Sequence, residues 1–176
     1  MVIYLSPGDY HRFHSPAIHE GHYRRHIAGY LSPVKPSYVN KHRDVFKNNE
    51  RVNIFGTWKH TSDFFFTSFV GALNVGSILL DFDSDVATNC AMPIDPYYTD
   101  KAYKPGQTGP LEFDSSAISA KEAEKMETIK FEKGQMTGRF EMGSTIVLIY
   151  ETPKETQTLV EEGQAVTLGQ QMVLTE

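Results

Sequence analysis

A mainly β fold, a single sandwich-like or carrier-like domain of short strands with few short helices, is predicted by three observations. Short β-branched and aromatic runs recur along the chain, Phe64–Val70, Val75–Leu80 and Thr145–Tyr150 among them. Turn residues separate such runs every ten or so positions. Good helix formers gather in only one stretch, Ala120–Lys125, so one short surface helix is expected within Ser119–Glu127. With 176 residues, 40% of them hydrophobic and 12% aromatic, the chain is long and apolar enough for one domain, residues 1–176, with its own core. A net charge of −5 argues against a nucleic-acid partner, and the single cysteine, Cys90, excludes an internal disulfide framework.

Residues 1–22 read as a loop, crowded with Pro7, Gly8, Pro16 and Gly21. His11, His14, His19 and His22 fall in it, but their spacings of three, five and three match no common zinc pattern, so no metal site is expected. Three residues apart, His11 and His14 would share one face of a helical turn, on a platform of Tyr10, Phe13 and Pro16 suited to proton transfer near neutral pH. No charged or apolar leader is expected ahead of them. Tyr38–Val39 and Val52–Phe55 are expected strands, and Asn48–Arg51 a tight turn, because asparagine tolerates positive φ.

Phe64–Leu80 is uncharged but just shorter than the about 18 apolar residues a membrane span needs, and it is broken by Gly71, Asn74 and Gly76. Two buried strands joined by a turn are expected, with Gly71–Asn74 allowing close backbone approach. Asp81, Asp83 and Asp85 alternate without the rest of a calcium loop and are expected on a solvated face. Glu132–Gln135 and Glu161–Gln164 echo one another, each read as a turn feeding a strand.

Gly143-Ser144 opens the last apolar run. Glycine frees the backbone and leaves its carbonyl unhindered, and a hydroxyl follows at once. By itself the pair reads as a turn entering a strand.

Three blocks in order change that reading. Tyr4-Leu5-Ser6-Pro7-Gly8-Asp9-Tyr10-His11-Arg12-Phe13-His14-Ser15-Pro16 resembles the histidine motif of phosphatidylserine decarboxylases. Val70–Ile78 resembles that family's middle block, and Gly134–Thr145 its processing site, with Met142 in place of the usual leucine, a volume-conserving change.

The resemblance implies that Ser144 attacks the Gly143 carbonyl, with His14 as base, so that the chain cuts itself into a β chain, 1–143, and an α chain, 144–176. Ser144 would become a pyruvoyl cofactor, an electron sink for decarboxylating phosphatidylserine to phosphatidylethanolamine, with His11 protonating the carbanion. Gly71, Ala72, Leu73 and Asn74 are the implied substrate wall. The family also places an aspartate upstream of the histidine motif to orient the base; with none ahead of His11 except Asp9, slow processing or an uncut proenzyme is expected.

Peripheral attachment to the mitochondrial inner membrane, or to a bacterial inner membrane, is implied as well; a homodimer is left open. Three other readings compete. A carrier-like domain lacks a lysine at the Gly134-Gln135 and Gly163-Gln164 tips. A pyruvoyl decarboxylase of a soluble amino acid would share the Gly-Ser chemistry but not the histidine motif. The third is an inactive or truncated homologue.

Overall fold

A computed structural model describes residues 1–58, 63–73, 76–90, 98–103, 128–141 and 143–174. The most apolar run forms the middle of the larger sheet. Strand β5, Phe64–Val70, pairs antiparallel with β4, Arg51–Trp58, on one side and with β10, Thr145–Tyr150, on the other. Among the described residues this sheet has seven strands. Its order is β1 (Val2–Tyr4), β10, β5, β4, β3 (His19–Ile27) and β7 (Tyr98–Ala102), with β8 (Ile129–Phe131) also on β3.

A second antiparallel sheet has three strands in the order β2 (Arg12–His14), β9 (Met136–Phe140) and β6 (Ile78–Leu80). The two sheets share one core, as the expected sandwich-like arrangement requires. Phe13 of β2 stacks on Phe69 of β5 with ring centroids 4.0 Å apart, and Phe140 meets Phe13 edge-on at 5.1 Å. Val52, Ile54, Val70, Ile78 and Leu80 close around them. A small pair, β11 (Gln157–Thr158) with β12 (Val173–Leu174), follows.

Several expectations give way. Residues 1–22 are not a loop: they hold β1, β2 and the start of β3. His14 therefore lies on a strand and His11 just before it, not on a helical turn. Tyr38–Val39 closes helix α1, Pro36–Val39, where proline sits favourably in the first turn. Asn48 ends helix α2, Val45–Asn48, and the positive φ belongs to Asp44 instead. Of the described residues from Gly76 to Leu80, Ile78–Leu80 form β6, which joins the small sheet, so β5 and β6 do not pair with each other. The expected helix over Ser119–Glu127 lies outside the described residues.

Asp83 is buried rather than solvated. It accepts from Arg24 Nε (3.3 Å), Lys101 Nζ (2.9 Å) and Tyr103 Oη (3.0 Å), which ties β3 and β7 to the segment after β6.

The echoed Glu-x-Gly-Gln segments do make one and the same turn. In each, glycine has φ +80°, the Gln N–H donates to the Glu carbonyl, and the Gln Oε1 accepts from the Glu N–H at 2.9 Å. Only the first feeds a strand, β9. The second leads into a third copy of the turn, Thr167-Leu168-Gly169-Gln170, with Gly169 at φ +82° and the Gln170 Oε1 accepting from the Thr167 N–H at 3.0 Å. Ala165 and Val166 thus connect two turns where a strand was expected.

Candidate active site

Gly143-Ser144 enters β10 directly, so the apolar strand anchors the downstream side of the bond. Ser144 is fully buried. Its carbonyl accepts from the Leu5 N–H at 2.7 Å, and its hydroxyl donates to the carbonyl of Val70 at the end of β5. Gly143 is pressed against the chain just beyond β1: a Cβ placed there would stand 2.5 Å from the Leu5 carbonyl oxygen and 3.0 Å from the Ser6 carbonyl. No side chain fits. Two backbone segments and a strand end thus hold the bond.

Both histidines have one proton position set by a backbone carbonyl, which can only accept. His14 Nδ1 donates to Gly134 O at 2.9 Å. In the neutral ring this leaves Nε2 as the lone-pair nitrogen, and it takes the Tyr10 hydroxyl at 2.9 Å while the Tyr10 ring stacks alongside. His11 Nε2 donates to Pro7 O at 3.1 Å. Its Nδ1 is buried with no hydrogen-bond partner. A neutral His11 therefore holds an unused basic nitrogen.

The register places the two rings at opposite ends of the pairing with β9. His14 is opposite Met136, whereas the His11 carbonyl accepts from Phe140 N–H at 2.9 Å, at the end from which the chain runs on to Gly143. Four residues of strand are about 13 Å. His11 thus adjoins the Gly-Ser end, and neither histidine is the partner of the Ser144 hydroxyl.

An open cleft of about 580 Å³ lies over His11, lined also by Asp9, Tyr10, Arg12, Arg139, Phe140 and Glu141. Asp9 closes the turn beneath it by accepting from Ser6 N–H at 2.8 Å. Among the described residues, no group of histidine, cysteine and carboxylate side chains could hold a metal ion.

The middle block lies behind the serine. Gly71 donates its N–H to Glu50 O at 2.7 Å and accepts from Asn49 Nδ2 at 2.9 Å. Glu50 is itself held by His26 Nε2 at 2.8 Å and by Asn89 N–H at 3.0 Å. Ala72 is buried, Leu73 is exposed, and Asn74 lies outside the described residues. Pro7, Val70 and Gly134 stand inside the motif blocks, but the part their carbonyls play was missed by sequence reading, as was Asn49 altogether. Only Asn49 had a side chain to signal it, and its role depends on a loop, at Ser32, far away in sequence.

A model of the phosphatidylserine decarboxylase family matches residues 1–174. The chain belongs to that family. Its relatives include the mitochondrial phosphatidylserine decarboxylase proenzyme of Rattus norvegicus, 40% identical over 169 residues, 96% of this chain and 37% of the relative. The mitochondrial proenzymes 1 of Schizosaccharomyces pombe and Saccharomyces cerevisiae are each 38% identical, over 96% and 97% of this chain and 35% and 31% of theirs. The chain thus spans about a third of the length of the curated relatives it matches.

Proposed function

We propose that this chain is the catalytic domain of a pyruvoyl-dependent phosphatidylserine decarboxylase. It would cut itself between Gly143 and Ser144 into chains 1–143 and 144–176 and then convert phosphatidylserine to phosphatidylethanolamine. The observation that carries the reading is the clamp on Gly143-Ser144: a buried hydroxyl beside a carbonyl that no side chain shields, fixed by Leu5 and Val70.

For cleavage, Ser144 Oγ bonds to the Gly143 carbonyl carbon as the peptide C–N bond breaks. The hydroxyl proton passes through a base to the freed nitrogen. Elimination of the Gly143 carboxylate and hydrolysis, with loss of ammonia, complete the conversion of residue 144. The surroundings fit a pyruvoyl group there: position 144 is shut off from water, and the neighbouring Thr145 Oγ1 is buried without a hydrogen-bond partner. Such a group supplies a carbonyl that condenses with a primary amine and accepts the electron pair released with carbon dioxide. Because Ser144 is buried, a substrate amine reaches this position only after the bond to Gly143 is broken.

By its place in the motif His14 is the cleavage base. Its Nδ1–H held by Gly134 O leaves Nε2 as the proton acceptor, the orienting role that a carboxylate has in a serine-protease triad. His11 then delivers the proton during turnover, next to the cleft. The reverse assignment is the second reading, favoured by the unpartnered His11 Nδ1 and by His11 standing at the Gly-Ser end of β9. Peripheral attachment to the mitochondrial inner membrane is the matching location. It is supported by the relatives' mitochondrial names.

Intact mass spectrometry of the protein tests the class. A slow break after Gly143, with the downstream chain beginning in a pyruvoyl group, is expected; a chain still unbroken and inactive after prolonged incubation selects the inactive-homologue reading instead. His14→Ala should stay uncut while His11→Ala cuts and fails to turn over. The opposite pattern selects the second reading.

A further inference from the structure

The outer face of the small sheet carries two cations that neither cleavage nor proton transfer uses. Arg12 of β2 and Arg139 of β9 are direct partners in the antiparallel register. Their side chains therefore rise from the same face, with Cβ atoms about 5 Å apart, and like charges so placed repel. Three other cations have acidic partners: Arg24 with Asp83, Arg25 with Asp100, and Lys101 with Asp83 and Asp85. Among the described residues Arg12 and Arg139 have none, and Arg12 makes its hydrogen bond to Met136 Sδ at 3.5 Å. Both line the cleft that holds His11, whose Nδ1 is buried and unpartnered.

We propose that Arg12 and Arg139 form the subsite for the phosphodiester of a glycerophospholipid headgroup, a proposal that rests on the decarboxylase reading above. Two guanidinium forks side by side match the oxygens of a phosphodiester in number and plane. A substrate carboxylate is the other anion available, and the chemistry argues against it. Arginines on a carboxylate that must leave as neutral carbon dioxide would stabilise the ground state and raise the barrier. The phosphodiester keeps its charge throughout, so gripping it orients the headgroup at no such cost. Asp9 and Glu141 at the rim leave the cleft close to neutral, which favours a singly charged diester with a neighbouring ammonium over free phosphate.

Ligand-observed NMR with sn-glycero-3-phosphoethanolamine tests this, since that probe carries the diester and no carboxylate and needs no turnover. Arg12→Gln with Arg139→Gln should weaken its binding at least tenfold. Arg12→Lys with Arg139→Lys should fall between the double variant and the parent, because charge remains but the forks are lost. Lys154→Gln, in the exposed loop after β10, should bind as the parent does. Inorganic phosphate should bind the parent more weakly than the diester. Unchanged binding by the double glutamine variant overturns the subsite, and so does a loss confined to L-serine, which would mark a carboxylate site. Retained diester binding with reduced binding to phosphatidylglycerol vesicles also overturns it, and assigns the arginines to the membrane surface. An uncut, inactive chain that still binds the diester through these arginines sinks the decarboxylase reading alone. A cut, active chain that ignores the substitutions sinks the subsite alone.

Discussion

The Ser144 hydroxyl donates to the Val70 carbonyl, and both residues are fully buried. The hydroxyl proposed as nucleophile is therefore parked on the end of β5, and freeing it requires a proton acceptor or a small shift of that strand end. Ser144→Ala removes one buried hydrogen bond and leaves Val70 O with one partner fewer, a cost of about 1–2 kcal/mol. The variant is expected to fold, to melt a few degrees below the parent, and to run as one uncut band on a denaturing gel.

Gly143→Ala tests the clamp itself. The added methyl would meet two backbone carbonyls, those of Leu5 and Ser6, which cannot rotate away as a side chain could. Either β1 retreats or the 143–144 bond moves. Displacement by about 1 Å at a reacting centre costs on the order of 10² in rate, so a time course of cleavage should show a slowing of that size. Gly134→Ala is the contrast. Open space surrounds that position, but φ is +80°, so the expected cost is about 1 kcal/mol of stability through backbone strain in the turn.

Where apolar runs decide the structure, it was legible: β5 and the Val52–Phe55 part of β4 stand where aromatic and β-branched residues place them. Strand β3 was hidden because its sequence, His19–Ile27, is polar and its burial rests on partners rather than on alternation. Arg24 needs Asp83, and His26 needs Glu50, residues 59 and 24 positions away. The site was legible in the same partial way. Motif residues announce His11, His14 and the Gly-Ser pair, whereas Val70, Gly134 and Pro7 contribute only carbonyls, which carry no side-chain signal.

Asp83→Asn should be among the most destabilising single changes in the chain. Burial pushes the Asp83 carboxyl up, but Lys101, Arg24 and Tyr103 outweigh it and hold it below the ordinary value. Arg24, 3% exposed, would be left as an uncompensated buried cation. Removing one member of a buried pair costs about 3–5 kcal/mol. The expected result is a large fall in the urea midpoint with an unchanged slope. Asp85, exposed and paired to the same lysine, should cost about 0.5 kcal/mol or less as asparagine.

His19 should make the folded protein sensitive to acid. It lies between the rings of Phe65 and Phe131, with centroids at 4.4 and 4.6 Å, and Ser15 Oγ and Ala17 O both face its Nδ1. Burial lowers its pKa from 6.5 to about 4, only partly offset by the Ala17 carbonyl. The unfolded chain therefore binds a proton at this position before the folded one does. This contribution to stability is complete above about pH 6.5 and is lost as pH falls toward 4, by about 3 kcal/mol in all. His22, also lowered by burial, adds a slope of the same sign. His19→Phe suits the apolar sandwich and cannot titrate. Urea unfolding of parent and variant across pH 4–7 should give a steeper loss in the parent; parallel curves would mean that His19 is already protonated in the fold.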